Sequence, residues 1–430
     1  MTNAQIIKLV KSEVIPAVGC TEPMAVALCT AYAAESLGTV PQKINILLSA
    51  NILKNAMGVG IPGTGMIGLP IAVALGALYG KSSYGLEVLK DITPDRVEKG
   101  KEFISGNRIS ISLKKDISEK LYIEVCCSAG DSSSTAIIAH DHINLVYLDK
   151  VQTDGKHHIL KDTRNKQSDT DQEETFEELN LKRVYEFATT APLADIEFIN
   201  QARKLNEAAS NNALKGNYGH NLGKTLTRPL GRGVMGESIF SHILAATSSA
   251  CDARMAGAMI PVMCNSGSGN QGIAATMPVV VFARENHNTD EELTRALMLS
   301  HLTAVYIKQS LGRLSALCGC VVAATGSSCG ITYLMGGSYE QVAYSVKNMI
   351  ANLAGIVCDG AKPSCSLKVS SGVSTAVLSA IMAIQNDVVT SVEGIIEEDV
   401  DKSIHNLTKV GSIGMNETDR LILDIMTHKS

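Results

Sequence analysis

The sequence predicts an α+β protein: a mainly helical domain with a smaller α/β subdomain that carries an antiparallel sheet. Three observations point there. From about residue 176 onward, apolar residues recur at helical spacing between Gly-rich turns. Between about 82 and 148 the pattern is shorter and alternates, as half-buried strands do. Aromatics are only 4% of the chain and Trp is absent, while Gly numbers 36, so the apolar mass is small and aliphatic and suits helices that approach closely.

Taken in order, 3–17 reads as a helix, with Ile6, Ile7, Leu9, Val10 and Val14 on one face. A second helix runs from Thr21, a fitting N-cap ahead of Glu22 and Pro23, to Leu37, where Gly38 ends it. Residues 43–49 read as a strand, 51–57 as a short helix, 58–65 as a Gly-rich loop and 67–79 as a buried helix. Strands are predicted over 108–113, 121–126, 135–140 and 144–148. The polar stretch 150–178 reads as a mobile linker. Helices follow over 176–189, 193–213, 234–256, 288–310, 315–334, 338–355 and 371–385, with turns at Gly231-Arg-Gly233 and Gly336-Gly337. This divides the chain into an N-terminal helical part of the core with one strand (1–81), the α/β subdomain and linker (82–175) and a helical catalytic domain (176–430).

The net charge of −5 and the absence of a basic stripe exclude nucleic acid as the expected partner. The first 14 residues are amphipathic and charged, unlike an export signal, so a cytoplasmic, reducing location is expected. There, eleven cysteines point to metal ligands or a nucleophile rather than to disulfides. Stretches 55–80, 255–283 and 314–339 carry no formal charge and reach the roughly 20 residues a membrane span needs. Their clustered Asn, Ser, Gly and Pro favour buried core helices over membrane spans.

Three constellations carry chemistry. Cys20, in Val18-Gly-Cys-Thr-Glu-Pro23, precedes a helix N-terminus, where the dipole favours a thiolate able to act as base or nucleophile. It also fits as a small core residue beside Gly19. Cys318-Gly-Cys320, Cys358 and Cys365 sit in or beside loops rich in turn formers, which suit thiolates holding an iron–sulfur cluster, or are scattered buried cysteines. The run Asn265, Ser266, Gly267, Ser268, Gly269, Asn270 allows backbone N–H groups to converge on an anion, or simply breaks a core helix. No Gly-x-Ser-x-Gly and no His-Glu-x-x-His is present, which leaves the common hydrolases without support. The pairs His140/His142 and His157/His158 read as solvated or satisfied histidines before a zinc site.

Together GCTEP (19–23), NSGSGNQG (265–272), ALCGC (316–320) and CDGAKPSC (358–365) resemble the L-cysteine desulfidase family, a relative of the iron–sulfur L-serine dehydratase α-chains. The resemblance extends from the first helix beyond residue 370. It implies a [4Fe–4S] cluster held by Cys318, Cys358 and Cys365, with Cys320 a rival for Cys318, and Cys20 as the acceptor of the substrate's Cα proton. The short gap between Cys358 and Cys365 sides with the desulfidases. The implied reaction is α,β-elimination of L-cysteine to sulfide, ammonia and pyruvate without pyridoxal phosphate, with L-serine or L-threonine dehydration as the alternative. A non-catalytic cluster sensor and a transporter are the readings of other classes. A Cys20 thiolate of near-neutral pKa is expected, and Asn265, Ser266, Gly267 and Asn270 are expected to bind the small amino-acid substrate. Lys54 and Lys362 are weaker candidates. Large apolar helical surfaces are compatible with a homodimer.

Overall fold

The computed structural model describes all residues except 118, 165–178, 313–314 and 429–430. The first half of the chain builds helix α1 (Asn3–Glu13), strand β1 (Pro16–Val18), α2 (Thr21–Leu37), β2 (Lys43–Leu48), α3 (Ala50–Ala56), α4 (Leu69–Tyr79), α5 (Pro94–Ser105), β3 (Ile109–Leu113), β4 (Tyr122–Ala129), β5 (Ser132–Ala139), β6 (Leu145–Val151) and β7 (His157–Asp162). Strands β2 to β7 form one six-stranded sheet in the order β3-β2-β4-β5-β6-β7. The sheet is mixed rather than purely antiparallel. Strands β2 and β3 run parallel because three helices, α3 to α5, intervene between them as a crossover. The other pairings are antiparallel.

Helix α2 lies across β4, β5 and β6 and packs on α4. Their shared core takes in Met24, Val26, Leu28, Ile44, Ile46, Ile71, Leu75, Ile123, Val125 and Ile138. Alternation in β2, where Ile44, Ile46 and Leu48 point inward and Lys43 and Asn45 outward, fixes the register of the sheet's centre. Strand β2 and helices α2 and α4 therefore belong to the sheet's own core, across the boundary expected at 81/82.

The second half is helical: α6 (Leu181–Thr190), α7 (Leu193–Ile196), α8 (Asn200–Lys215), α9 (Leu222–Thr227), α10 (Pro229–Met235), α11 (Ile239–Met255), the short strand β8 (Pro261–Met263), α12 (Gly269–Glu285), α13 (Asp290–Leu311), α14 (Gly319–Leu334), α15 (Tyr339–Leu353), α16 (Cys365–Ile384), α17 (Val400–Lys409) and α18 (Asn416–Thr427). Helix α14 is the hub, packed on α12, α13, α15 and α16. The N-terminus is sewn into this core, since β1 pairs antiparallel with β8.

Several sequence expectations shift. The first helix stops at Glu13, because 16–18 are drawn off into β1. The helix expected over 193–213 breaks at the 3₁₀ turn 197–199. The Gly231-Arg-Gly233 turn lies inside α10, begun by Pro229 at its first position, and the helix expected from 234 starts at Ile239. The last core helix begins at Cys365, six residues before its expected start. The linker expected over 150–178 contains β7, and 165–178 lies outside the described residues. Among the described residues, α16 alone is long and apolar enough to cross a membrane, and half of its apolar window is buried in the protein.

Candidate active site

The two cores meet at a cavity of about 120 Å³. It brings together all three constellations of the sequence. Cys20, Ser266, Gly267, Asn270, Cys318, Cys320, Cys358 and Cys365 all line it. Local chain geometry explains the convergence. Residues Leu317 and Val357 form an antiparallel bridge. Cys318 N–H donates to Ile356 O (2.9 Å) and Cys358 N–H to Ala316 O (2.6 Å), so two cysteines far apart in sequence are fixed side by side. Cys365 opens α16, with its N–H donating to Lys362 O (2.9 Å).

Four helices present their N-termini to this cavity: α2 at Cys20, α12 at Ser268, α14 at Cys318 and α16 at Ser364. None of the four is capped by a side chain, whereas α1, α11, α13 and α15 carry full capping boxes. The free N–H groups and positive dipole ends favour anions in the cavity.

Thiol electrostatics differ around the wall. Cys318 and Cys320 act on each other: the Cys320 thiol beside it pulls Cys318 below the usual thiol range, while Cys318 and burial push Cys320 above it. Burial pushes Cys358 up, opposed by the charges of Lys54 and Lys368. Burial likewise pushes Cys365 up to about 11. Burial lowers Lys308 to about 8, and its ammonium faces Cys358, Cys318 and Cys320. Asp359 ties Lys362 and Lys368 together. Lys362 also donates to the carbonyls of Asp359 and Gly360, and Lys368 to that of Val357, so both lysines brace the cysteine loop. Lys54 is buried and paired with Asp419 of α18.

Cys20 departs from expectation. Its thiol donates to Glu22 Oε2 (3.1 Å), and Asn55 Nδ2 donates to Glu22 Oε1 (3.0 Å). Burial first, then the Glu22 charge, raise the Cys20 thiol well above its ordinary value, while Arg254 opposes them. The helix dipole does not by itself produce the near-neutral thiolate, because the site is dry and a carboxylate sits two residues on.

The Asn-Ser-Gly loop is also divided. Ser266, Gly267 and Asn270 face the cavity. Asn265 is fully buried behind it: its Nδ2 donates to His301 Nδ1 (3.2 Å) and His301 O (3.0 Å), and its Oδ1 accepts from Ser266 Oγ (2.9 Å). It braces the loop. His301 then has its proton on Nε2, which donates to Thr276 Oγ1 (3.0 Å).

Sequence reasoning gave no role to Glu22, Asn55, Arg254, Gln271 and Lys308, which also line the cavity. Glu22 and Gln271 stood inside the motifs, whereas Arg254, two residues after Asp252 in a mixed helix run, carried no signal of its own. His142, brought in by the β5–β6 turn, also lines the cavity; expected to be solvated or satisfied, it has a buried Nε2 without a hydrogen-bond partner.

The wall fits an iron–sulfur cluster by the chemistry of its donors. Four cysteines surround one cavity, with lysines nearby to offset thiolate charge. Among the described residues no three His, Cys, Asp or Glu side chains converge as a single-ion site would require. A cubane instead distributes its thiolates over separate irons, so its ligands stand around a cavity rather than on a point.

Comparison with known proteins places this geometry in a lineage. The family model described as "Serine dehydratase alpha chain" matches residues 83–424. A UPF0597 protein of Bacteroides thetaiotaomicron is 68% identical over 99% of this chain and 98% of its own length. One from Porphyromonas gingivalis is 53% identical over 100% of this chain and 99% of its own. One from Shewanella halifaxensis is 45% identical over 98% of each.

Proposed function

Because the chain belongs to the serine dehydratase alpha chain family, we propose that it is an iron–sulfur lyase that eliminates the β-substituent of a small L-amino acid, with L-cysteine as substrate. One observation carries the reading: a single cavity holds Cys20 and the four cysteines Cys318, Cys320, Cys358 and Cys365. Cys318, Cys358 and Cys365 would hold the cluster. Cys318 is preferred to Cys320 because its thiol is the lowered one of the pair and so the readier thiolate. When bound, the cluster supplies a Lewis-acidic iron for the leaving group on Cβ.

The chain's own residues move the proton. Glu22 Oε2 takes the Cys20 proton as Cys20 Sγ takes the one on Cα, so the pair acts as one base. Loss of the Cα proton forms the Cα=Cβ bond as the Cβ–S bond breaks. The aminoacrylate released tautomerises and is hydrolysed by water to pyruvate and ammonia. Sulfide is favoured as leaving group by the short Cys358–Cys365 spacing; the family's description favours water, from L-serine. The substrate cavity, its proposed cluster and a cytoplasmic setting form one coherent reading.

Anaerobically reconstituted protein assayed for sulfide and pyruvate from L-cysteine, against pyruvate from L-serine, decides between the two. Pyruvate from neither sinks the lyase reading.

A further inference from the structure

Arg254, the next-to-last residue of α11, is only 4% exposed and lines the cavity. Among the described residues it has no carboxylate partner. Nη1 donates to Asn270 Oδ1 (3.1 Å), and Nε is buried without any hydrogen bond. Glu22, the carboxylate on the same wall, makes no ion pair with it and is engaged by Cys20 and Asn55. A buried guanidinium left this way is costly unless an anion completes it.

Its surroundings are shaped for such an anion. The guanidinium lies against the first turn of α12, where a Cβ on Gly269 would stand 2.2 Å from Arg254 Nε. That close approach places the cation beside the uncapped N-terminus of a 17-residue helix. Among the described residues the N–H groups of Gly269, Asn270 and Gln271 have no acceptor. On the same wall Gln271 Oε1 is a buried acceptor without a donor. Acid and base complementarity thus appear together: two donor sets for a carboxylate and two acceptors, Gln271 Oε1 and Glu22, for an ammonium.

We propose that Arg254, with the start of α12, is the receptor for the α-carboxylate of the amino-acid substrate, and that Gln271 Oε1 and Glu22 receive its α-ammonium. The proposal rests on the lyase reading for the ligand's identity as an amino acid. It also brings the carboxylate to the neighbourhood of Cys20, whose thiol interacts with the Arg254 charge.

Calorimetric titration of the anaerobic holoenzyme with L-alanine, which has no leaving group on Cβ, and with L-alaninamide, which has no carboxylate, tests it directly. L-alanine should bind at least tenfold more tightly than the amide. Arg254→Gln should abolish that preference. Arg254→Lys should keep part of it, since the charge stays but the planar fork is lost. Gly269→Ala, which keeps the arginine but displaces it, should weaken L-alanine as well. Equal binding of L-alanine and the amide by the wild type, or no binding of L-alanine, overturns the proposal without any variant having to fold. So does an Arg254→Gln protein whose KM for L-cysteine is unchanged, and that result leaves the lyase reading standing. Conversely, Arg254-dependent binding of L-alanine with no turnover of L-cysteine or L-serine keeps the receptor and removes the lyase.

Discussion

At the scale of single residues, the site turns on the Cys20–Glu22 pair. Because the Glu22 charge raises the Cys20 thiol, Glu22→Gln should lower it and make Cys20 alkylate faster with iodoacetamide at fixed mild alkaline pH. The same variant has lost the proposed acceptor of the proton, so kcat should fall by roughly 10²-fold or more. A better thiolate with a worse enzyme is the signature of a two-residue base. If kcat rises together with alkylation, Cys20 acts alone and Glu22 merely restrains it. In the same cavity, Cys358→Ala should remove the broad thiolate-to-iron absorption of the anaerobic protein, while Cys20→Ala should leave it intact and abolish turnover. A colourless but active wild type would end the cluster mechanism.

At the scale of elements, the site is an assembly of helix starts, and its precision depends on how tightly those helices are laid down. Helix α12 crosses β8 so closely that a Cβ on Gly272 would stand 1.8 Å from Met263 O. Gly272→Ala should cost about 1–3 kcal/mol or more through forced backbone displacement, read as a lowered thermal midpoint. The α12–α13 contact holds His301, which burial lowers from 6.5 to about 3. Between those values the unfolded chain binds a proton that the folded chain does not, so this contribution to stability falls as pH falls through the window and levels off below it. Relative to the wild type, His301→Gln is destabilised at pH 7. That gap should narrow by about 2 kcal/mol between pH 7 and pH 5 in urea melts, and an unchanged gap would contradict the buried neutral histidine. These elements were legible in the sequence where the pattern is local. Alternation announced β2 and β4, and Gly38 marked the end of α2, whose N-cap is Cys20 and not Thr21 as expected, Thr21 being its first helical residue. What was not legible came from distant partners. The three-residue strands β1 and β8 exist only because they pair with each other, and Arg254 and Glu22 acquire meaning only once α11 and α2 face one cavity.

At the scale of the whole molecule, the proposed catalysis would require two cores to hold their relative position, since Glu22 comes from the sheet's helix while the proposed cluster cysteines come from the bundle. The structure ties them with a long-range clamp. Lys54 on α3, buried to 2% of its side chain, pairs with Asp419 on α18, and Asn51 Nδ2 donates to the same carboxylate (3.1 Å). Lys54 also faces Cys358, so the clamp touches the proposed cluster wall. Asp419→Ala leaves the lysine charge buried without a partner. Because Asp419 is partly exposed and water can reach the gap, the expected loss is about 2 kcal/mol, below that of a fully buried pair. The additional Lys54→Met change should restore much of that stability, since it removes the orphaned charge and keeps the chain length of the side chain. Urea melts of the single and double variants measure the coupling. If Asp419→Ala costs nothing, α18 is not a clamp. If the double variant recovers stability but not turnover, the lysine charge itself serves the cysteine wall.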